Sequence, residues 1–394
     1  MDKIAATPEQ ARFLLSILDP SREDSVRNQR LEIAAEVQDS DALLNIAGAH
    51  GVLPFLLSRF PEWPALADER LAARLRGECL KNTLRNLALG AELLALLEEF
   101  DAAGIPALPF KGVVLAVGLY GNLQFRPAGD LDILIHRWDL ERATAILKNR
   151  DYILLTQLQP DGTPVEQDAG EYQFGQKGPA GVIVELRWRL APPDFRRDLG
   201  MDVLWPRRRM TKVLGVAVPD LAPEDTLVLL CMHGTKHEWL RLFWICDIGQ
   251  LLKVHPHLDW GMAEGLARRF GLFRALVLGV LLSHRMTGAP VPEQVLRRFK
   301  KNRTVRRLEE HIRKHFFEPT SSPFDGLPIQ IEALGFGDRM ARLGHAILEG
   351  PGIRDRARVR LPAALDFLYY LVRPVRLVWK YLIRRGLRFG LKQD

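Results

Sequence analysis

Residues Ile105 to Ile135 read IPALPFKGVVLAVGLYGNLQFRPAGDLDILI. The stretch fits a strand, a turn at Lys111-Gly112, a short helix, a loop carrying Arg126 and Gly129, and a second strand opening Asp130-Leu131-Asp132-Ile133-Leu134-Ile135. Side chains alternate across a strand, so Leu131, Ile133 and Ile135 can face a core while Asp130 and Asp132 emerge together on the other side. Adjacent carboxylates repel unless a cation neutralises them or one takes up a proton. A hard divalent ion such as Mg²⁺ suits an oxygen pair, commonly with bound phosphates completing its shell. The pair therefore points to metal-assisted chemistry on a nucleotide.

Downstream, Glu171–Lys177 and Val182–Trp188 read as a hairpin around Gly178-Pro179-Ala180-Gly181. In its second strand Val182, Val184, Leu186 and Trp188 share one face, and Ile183, Glu185 and Arg187 share the other. Glu185 is a carboxylate in the middle of a strong strand. If this strand pairs with the one carrying Asp130 and Asp132, three acids converge on one face, as two-metal phosphoryl transfer requires. The alternative is a charged strand edge with Glu185 paired to a neighbouring arginine. Arg126, four residues before Asp130, could brace a triphosphate or neutralise Asp130.

Helical patterns flank this core. On the N-terminal side they cover Ala11–Leu18, Asp41–Ala49, a segment after Pro54, and a long run from Leu71 to Ala103 closed by Gly104. In that run Leu80, Leu84, Leu87, Ala91 and Leu94 recur at helical spacing and are expected to form the buried stripe. Asp139–Arg150 reads as a helix and Tyr152–Leu158 as a strand. From Pro223 helices return over Leu227–His237, Trp239–Val254, Met262–Met286 and Glu293–His315. The expected fold is α+β, a small mixed sheet flanked by N-terminal and C-terminal helical regions. The expected division is a helical module over 1–104, the core over 105–220, a helical region closing a cleft over 221–317, and a linker with a basic amphipathic tail over 318–394.

The 394 residues carry a net charge of +7, but residues 351–394 alone hold eleven Lys/Arg against three Asp/Glu. The basic excess belongs to the tail, which suggests a local contact with nucleic acid or a membrane surface and not a chain that coats nucleic acid along its length. Cys79, Cys231 and Cys246 are scattered, without CxxC spacing, which suits a reducing cytosol and argues against a zinc ribbon. The N-terminus has no apolar run after a basic start, so a cytoplasmic location is expected. His233 and His237 stand four apart, a zinc-compatible spacing, but the glutamate of an HExxH site and a third ligand are missing. Asp247, in an otherwise apolar run, needs Lys236 or an arginine as partner if buried.

The runs PFKG, LYGN, RPAGDLDILI, VELRWRL and HGTKHEWLRLFWICDI together resemble an uncharacterised bacterial nucleotidyltransferase family of the DNA polymerase β-like superfamily. The resemblance spans the last N-terminal helix to about residue 260. It implies a nucleotidyltransferase core in which Asp130, Asp132 and Glu185 are the catalytic, metal-holding acids. It implies a nucleotide site drawn from Lys111, Gly112, Arg126, Gly129, His233, Lys236 and His237, with the last three facing the cleft from the helical side. Lys111-Gly112 stands where the superfamily carries Gly-Ser or Gly-Gly. The implied activity is transfer of NMP from an NTP, with ATP the expected donor, to a hydroxyl or phosphate acceptor on a small molecule or modified peptide. The implied cofactor is Mg²⁺, with Mn²⁺ as an alternative. A toxin-type enzyme acting on tRNA or a protein, and a nucleotide-binding accessory protein without turnover, are the alternatives.

Overall fold

β2 (Leu131–Ile135) is buried along its whole length, because each of its two faces meets a different core. Leu131, Ile133 and Ile135 point into one. Leu134 points into the other, and Asp132 lies on that same side by alternation. In a computed structural model of the chain, the described residues are 5–18, 24–59, 68–155, 170–176, 181–190 and 199–318. They fall within one unit, Met1–Gly335; the second unit, Phe336–Asp394, and with it the basic tail, lies outside them.

Helices α1 (Pro8–Leu18), α2 (Asp24–Glu36), α3 (Ser40–Ala49), α4 (Leu53–Arg59) and α5 (Glu69–Ala102) precede β1 (Ala107–Phe110). Then come α6 (Gly112–Tyr120), β2, α7 (Leu140–Asn149), β3 (Tyr152–Leu154), β4 (Glu171–Gln176) and β5 (Ile183–Arg187). After the single turn α8 (Met201–Leu204), β6 (Arg209–Val213) and β7 (Val216–Asp220) form a separate hairpin. The described part ends in α9 (Pro223–Lys236), α10 (Leu242–Val254), α11 (Trp260–Arg269), α12 (Phe273–Thr287), α13 (Glu293–Lys300) and α14 (Arg303–Lys314).

The main sheet has the order β1-β2-β5-β4-β3. β2 and β5 run parallel and the other neighbours antiparallel, so the sheet is mixed, as expected. Helices surround it, and the α+β class holds. One core joins the sheet to the C-terminal half of α5, to α6 and to α7 through Leu93, Phe100, Val113 and Leu147. The other joins Leu108, Phe110 and Leu134 to the N-terminal helices and to α9–α14.

Three helical expectations are corrected. The stripe Leu80, Leu84, Leu87 on α5 faces outward, with relative exposures of 58%, 57% and 40%. The buried positions are Leu71, Leu75, Cys79, Asn86, Leu89, Leu93, Leu96 and Phe100, one helical step round the same cylinder. Leucines line more than one face of this helix, so periodicity alone could not choose between them. The runs Met262–Met286 and Glu293–His315 are each two helices. Gly271, at φ 73°, ends the first helix of one run, and Asn302 caps the second helix of the other through its side chain. Likewise Glu238 and Trp239, at φ 59° and 56°, turn the chain between α9 and α10.

The β6–β7 hairpin was not anticipated. Its two-residue turn, Leu214-Gly215, has positive φ at both positions, as a type I′ turn requires, but leucine is an unusual residue there. Leu214 packs at Gly90 of α5, where an added Cβ would come 3.3 Å from the leucine.

Urea unfolding distinguishes the two faces of α5. Leu93→Ala should cost about 2–5 kcal/mol, as buried leucine truncations do, and Leu84→Ala should stay within about 0.5 kcal/mol. Equal losses would contradict the assignment of the buried face.

Candidate active site

The register of the sheet assembles the acids. Asp132 lies beside Glu185 on the parallel pair β2–β5, with Phe110 of β1 and Gln173 of β4 in the same cross-strand row. Asp130 sits one residue before β2. Asp130, Asp132 and Glu185 each offer a carboxylate oxygen within 4.8 Å of the other two. The convergence expected from strand pairing is therefore present.

Cations surround this group. Lys111 Nζ lies 2.9 Å from Asp132 Oδ2, and Arg187 Nε lies 3.2 Å from Asp132 Oδ1. Arg187 also pairs with Glu185 on its own strand and with Glu171, its register partner on β4. Gln173 Nε2 donates to Glu185 Oε1 at 2.9 Å. Burial pushes the Asp132 carboxyl up, but Lys111 and Arg187 outweigh it and the group sits below its usual range. Burial and the Asp132 charge hold Asp130 and Glu185 above theirs. The local anionic charge is thus only partly neutralised, and hard oxygen donors are what a divalent ion of the Mg²⁺ class takes.

The turn before α6 departs from sequence expectation in an informative way. Lys111 adopts φ 62°, ψ −150°, a region that glycine enters and other residues avoid. The turn keeps the backbone shape of a glycine turn while presenting an ammonium group. At Gly112, with φ 45°, an added Cβ would meet the Asp130 carbonyl oxygen at 3.2 Å. The turn is thereby packed directly on the chain that carries the acids. Gly129 shows no such steric need; its carbonyl accepts from Arg85 Nη2 at 2.6 Å.

Arg126 forms its ion pair with Asp247 and not with Asp130. It is buried, and its Nε donates to both oxygens of Asp247 on α10 at 3.1 and 3.0 Å. Tyr120 OH donates to the same carboxylate at 2.9 Å, and Arg126 Nη1 donates to Gly112 O and Pro127 O at 3.2 Å. Asp247 therefore finds its partner in an arginine, 121 residues earlier. Arg126 touches the candidate phosphate turn through its backbone, which makes it a positioning residue.

His233, Lys236 and His237 end α9. The two imidazoles lie 4.6 Å apart between centroids and both contact Trp244, at 5.3 and 5.4 Å. Burial, Lys111 and His237 keep His233 neutral, well below its usual range; burial and Lys236 bring His237 down to about 4. Burial and Arg187 lower Lys236 as well. The α9 end thus lies within electrostatic reach of Lys111 and Arg187. Among the described residues only the acid triad gathers three metal-type ligands, so the histidine pair has no third zinc ligand.

Sequence reasoning missed Glu171, which gave no signal before its register with Arg187 was visible. It also missed Arg85 and Asn86. Asn86, buried on α5, donates to the carbonyls of Leu123 and Arg126 and accepts from Ala128 N, fixing the loop that delivers Asp130.

Two variants test the strained turn. Lys111→Gly and Lys111→Ala both lose the Asp132 pair, but only glycine relieves the positive φ. The glycine variant should be more stable than the alanine variant by about 1 kcal/mol or more in thermal unfolding. Equal stabilities would contradict the strained backbone.

Residues 36–288 match the model of a family described as an uncharacterised nucleotidyltransferase, a longer span than the sequence motifs alone marked out. A comparison with curated proteins found no match. Among solved structures, an antigenic nucleotidyltransferase-like protein from Paracoccidioides brasiliensis aligns at 18% identity and a TM-score of 0.31, over 48% of this chain and 91% of that one. So low a similarity carries no argument for fold or chemistry. The family match covers well over half of the sequence and includes the acid triad, the Lys111 turn and α9, and by it the chain belongs to this family of uncharacterised nucleotidyltransferases.

Proposed function

We propose that the chain transfers a nucleoside monophosphate from an NTP, with ATP the expected donor, to a hydroxyl or phosphate acceptor, assisted by Mg²⁺ or Mn²⁺. The observation that carries this reading is the convergence of Asp130, Asp132 and Glu185 from β2, its approach and β5, within 4.8 Å at their oxygens. When bound, a divalent ion supplies charge neutralisation at phosphate oxygens and lowers the pKa of an attacking hydroxyl.

The chain's own residues take the remaining work. Asp130 and Asp132 hold the ion, and Glu185 either coordinates a second ion or takes the acceptor's proton. Arg187 fixes Asp132 and Glu185 in one orientation through shared ion pairs, and Glu171 fixes Arg187. Lys111 and Lys236 supply positive charge for the leaving pyrophosphate. His233 and His237, kept neutral, serve as hydrogen-bonding groups beside Trp244 and add no charge. The Tyr120–Asp247–Arg126 cluster ties α6 and α10 to the turn at Gly112 and keeps that turn in register with the acids.

The test is incubation with each labelled NTP in turn, Mg²⁺ and a cell extract, comparing wild type with Asp130→Asn. Wild type should transfer label from one nucleotide to a specific acceptor, and the variant should be slower by about a hundredfold or more. Transfer at the wild-type rate by a folded Asp130→Asn protein would refute the assignment.

A further inference from the structure

Both oxygens of Asp132 are engaged by cations: Oδ1 by Arg187 at 3.2 Å and Oδ2 by Lys111 at 2.9 Å. Asp132 is also the central member of the triad, flanked by Asp130 in sequence and Glu185 in register. A divalent ion coordinating Asp132 must therefore share this carboxylate with, or replace, a positive group already in contact with it. Like charges at that separation repel strongly in a buried site. That repulsion favours release of one of the two cations.

The two are built differently. Arg187 is buried and holds Asp132, Glu185 and Glu171 together, so moving it would strand three carboxylates. Its planar guanidinium is fixed by several hydrogen bonds at once. Lys111 has one carboxylate partner, a flexible four-carbon stem whose ammonium nitrogen lies 5.2 Å from the centre of the Phe110 ring, and a position at the N-cap of α6. Its backbone holds a strained, glycine-like conformation, so the placement of this side chain is enforced by the fold at some cost. A destination also exists. Lys111 lies within electrostatic range of His233, Lys236 and His237 at the end of α9, which together offer one ammonium and two neutral imidazoles to an anion.

We propose that Lys111 is a movable placeholder for the metal: its ammonium occupies Asp132 Oδ2 in the resting protein, and it leaves for the phosphates of an incoming metal–triphosphate complex while Arg187 stays in place. The idea rests on the nucleotidyltransferase reading above and adds a device to it. Lys111 keeps the second oxygen of a buried carboxylate paired when no nucleotide is bound. It also discourages uptake of a bare ion, so that metal and triphosphate enter together.

The test uses the full chain, Mn²⁺ as the metal, and inorganic tripolyphosphate as a base-independent probe. Protein-bound Mn²⁺ is followed by equilibrium dialysis, in which the Mn²⁺–tripolyphosphate complex passes the membrane freely, for wild type, Lys111→Met, Lys111→Arg and Asp130→Asn, each checked for folding by circular dichroism. Lys111→Met should bind Mn²⁺ alone about tenfold more tightly than wild type, the scale on which a neighbouring charge shifts a carboxylate's affinity for a cation. Tripolyphosphate should strengthen Mn²⁺ binding in wild type and do so much less in Lys111→Met. Lys111→Arg should restore the weak binding of the bare ion. If Lys111→Met unfolds, Lys111→Gly, which suits the backbone at this position, carries the same comparison. Equal or weaker Mn²⁺ affinity in the lysine-free variant, with binding still lost in Asp130→Asn, would overturn the placeholder and leave the metal site standing. No Mn²⁺ binding by any protein, with or without tripolyphosphate, would overturn both.

Discussion

Arg187 reaches three carboxylates from the middle of the sheet, and much of the structure is arranged around what that guanidinium makes tolerable. Asp132, Glu185 and Glu171 lie in two adjacent cross-strand rows of a sheet whose faces are both covered. Removing such groups from water costs several kcal/mol per ion unless they are paired, and breaking a buried pair by deleting one partner typically costs about 3–5 kcal/mol. The same ion pairs that make burial of the acids bearable also set their orientation. Stability and candidate chemistry meet in one cluster, which is why Asp132 and Glu185 sit on paired strands.

A second buried pairing does a related job at longer range. Arg126 and Asp247 are far apart in sequence, and with Tyr120 they bind α10 to the loop and turn that border the acids. From the other side Arg85 and Asn86 of α5 hold the carbonyls of the same loop. The segment between α6 and β2 has little regular structure of its own, yet its backbone polar groups are met by Asn82, Arg85 and Asn86 of α5. That matters for function because Asp130 lies at the end of this segment, outside the sheet ladder that fixes Asp132 and Glu185.

The sequence made the centre of this arrangement legible for a physical reason. Strand alternation places Asp132 and Glu185 on defined faces, and apolar residues on either side leave few other registers, so convergence of the acids followed from pairing alone. What remained hidden depends on partners that no local pattern reveals. Arg126 looked like a phosphate ligand because Asp130 is four residues away, whereas its partner is on a helix beyond the sheet. Glu171 carried no meaning until β4 was set beside β5. On α5, leucines occupy several faces, and Asn86 and Gly90 on the buried side diluted the stripe that faces the core. The β6–β7 hairpin escaped notice because a leucine fills a turn position that usually advertises itself with glycine, asparagine or aspartate.

Lys111 illustrates the two levels most clearly. Read as a letter, it breaks the small-residue pattern expected of a phosphate turn. Read as a conformation, it preserves that turn and adds a charge directed at Asp132. Everything proposed for the protein depends on whether the acids beside that charge hold a divalent ion. The most direct measurement is anomalous diffraction from crystals of the full chain grown with Mn²⁺ and a triphosphate. The account predicts an anomalous peak at coordination distance from oxygens of Asp130, Asp132 and Glu185 together. A fully ordered site with no peak there, or a peak held by other residues, would contradict it.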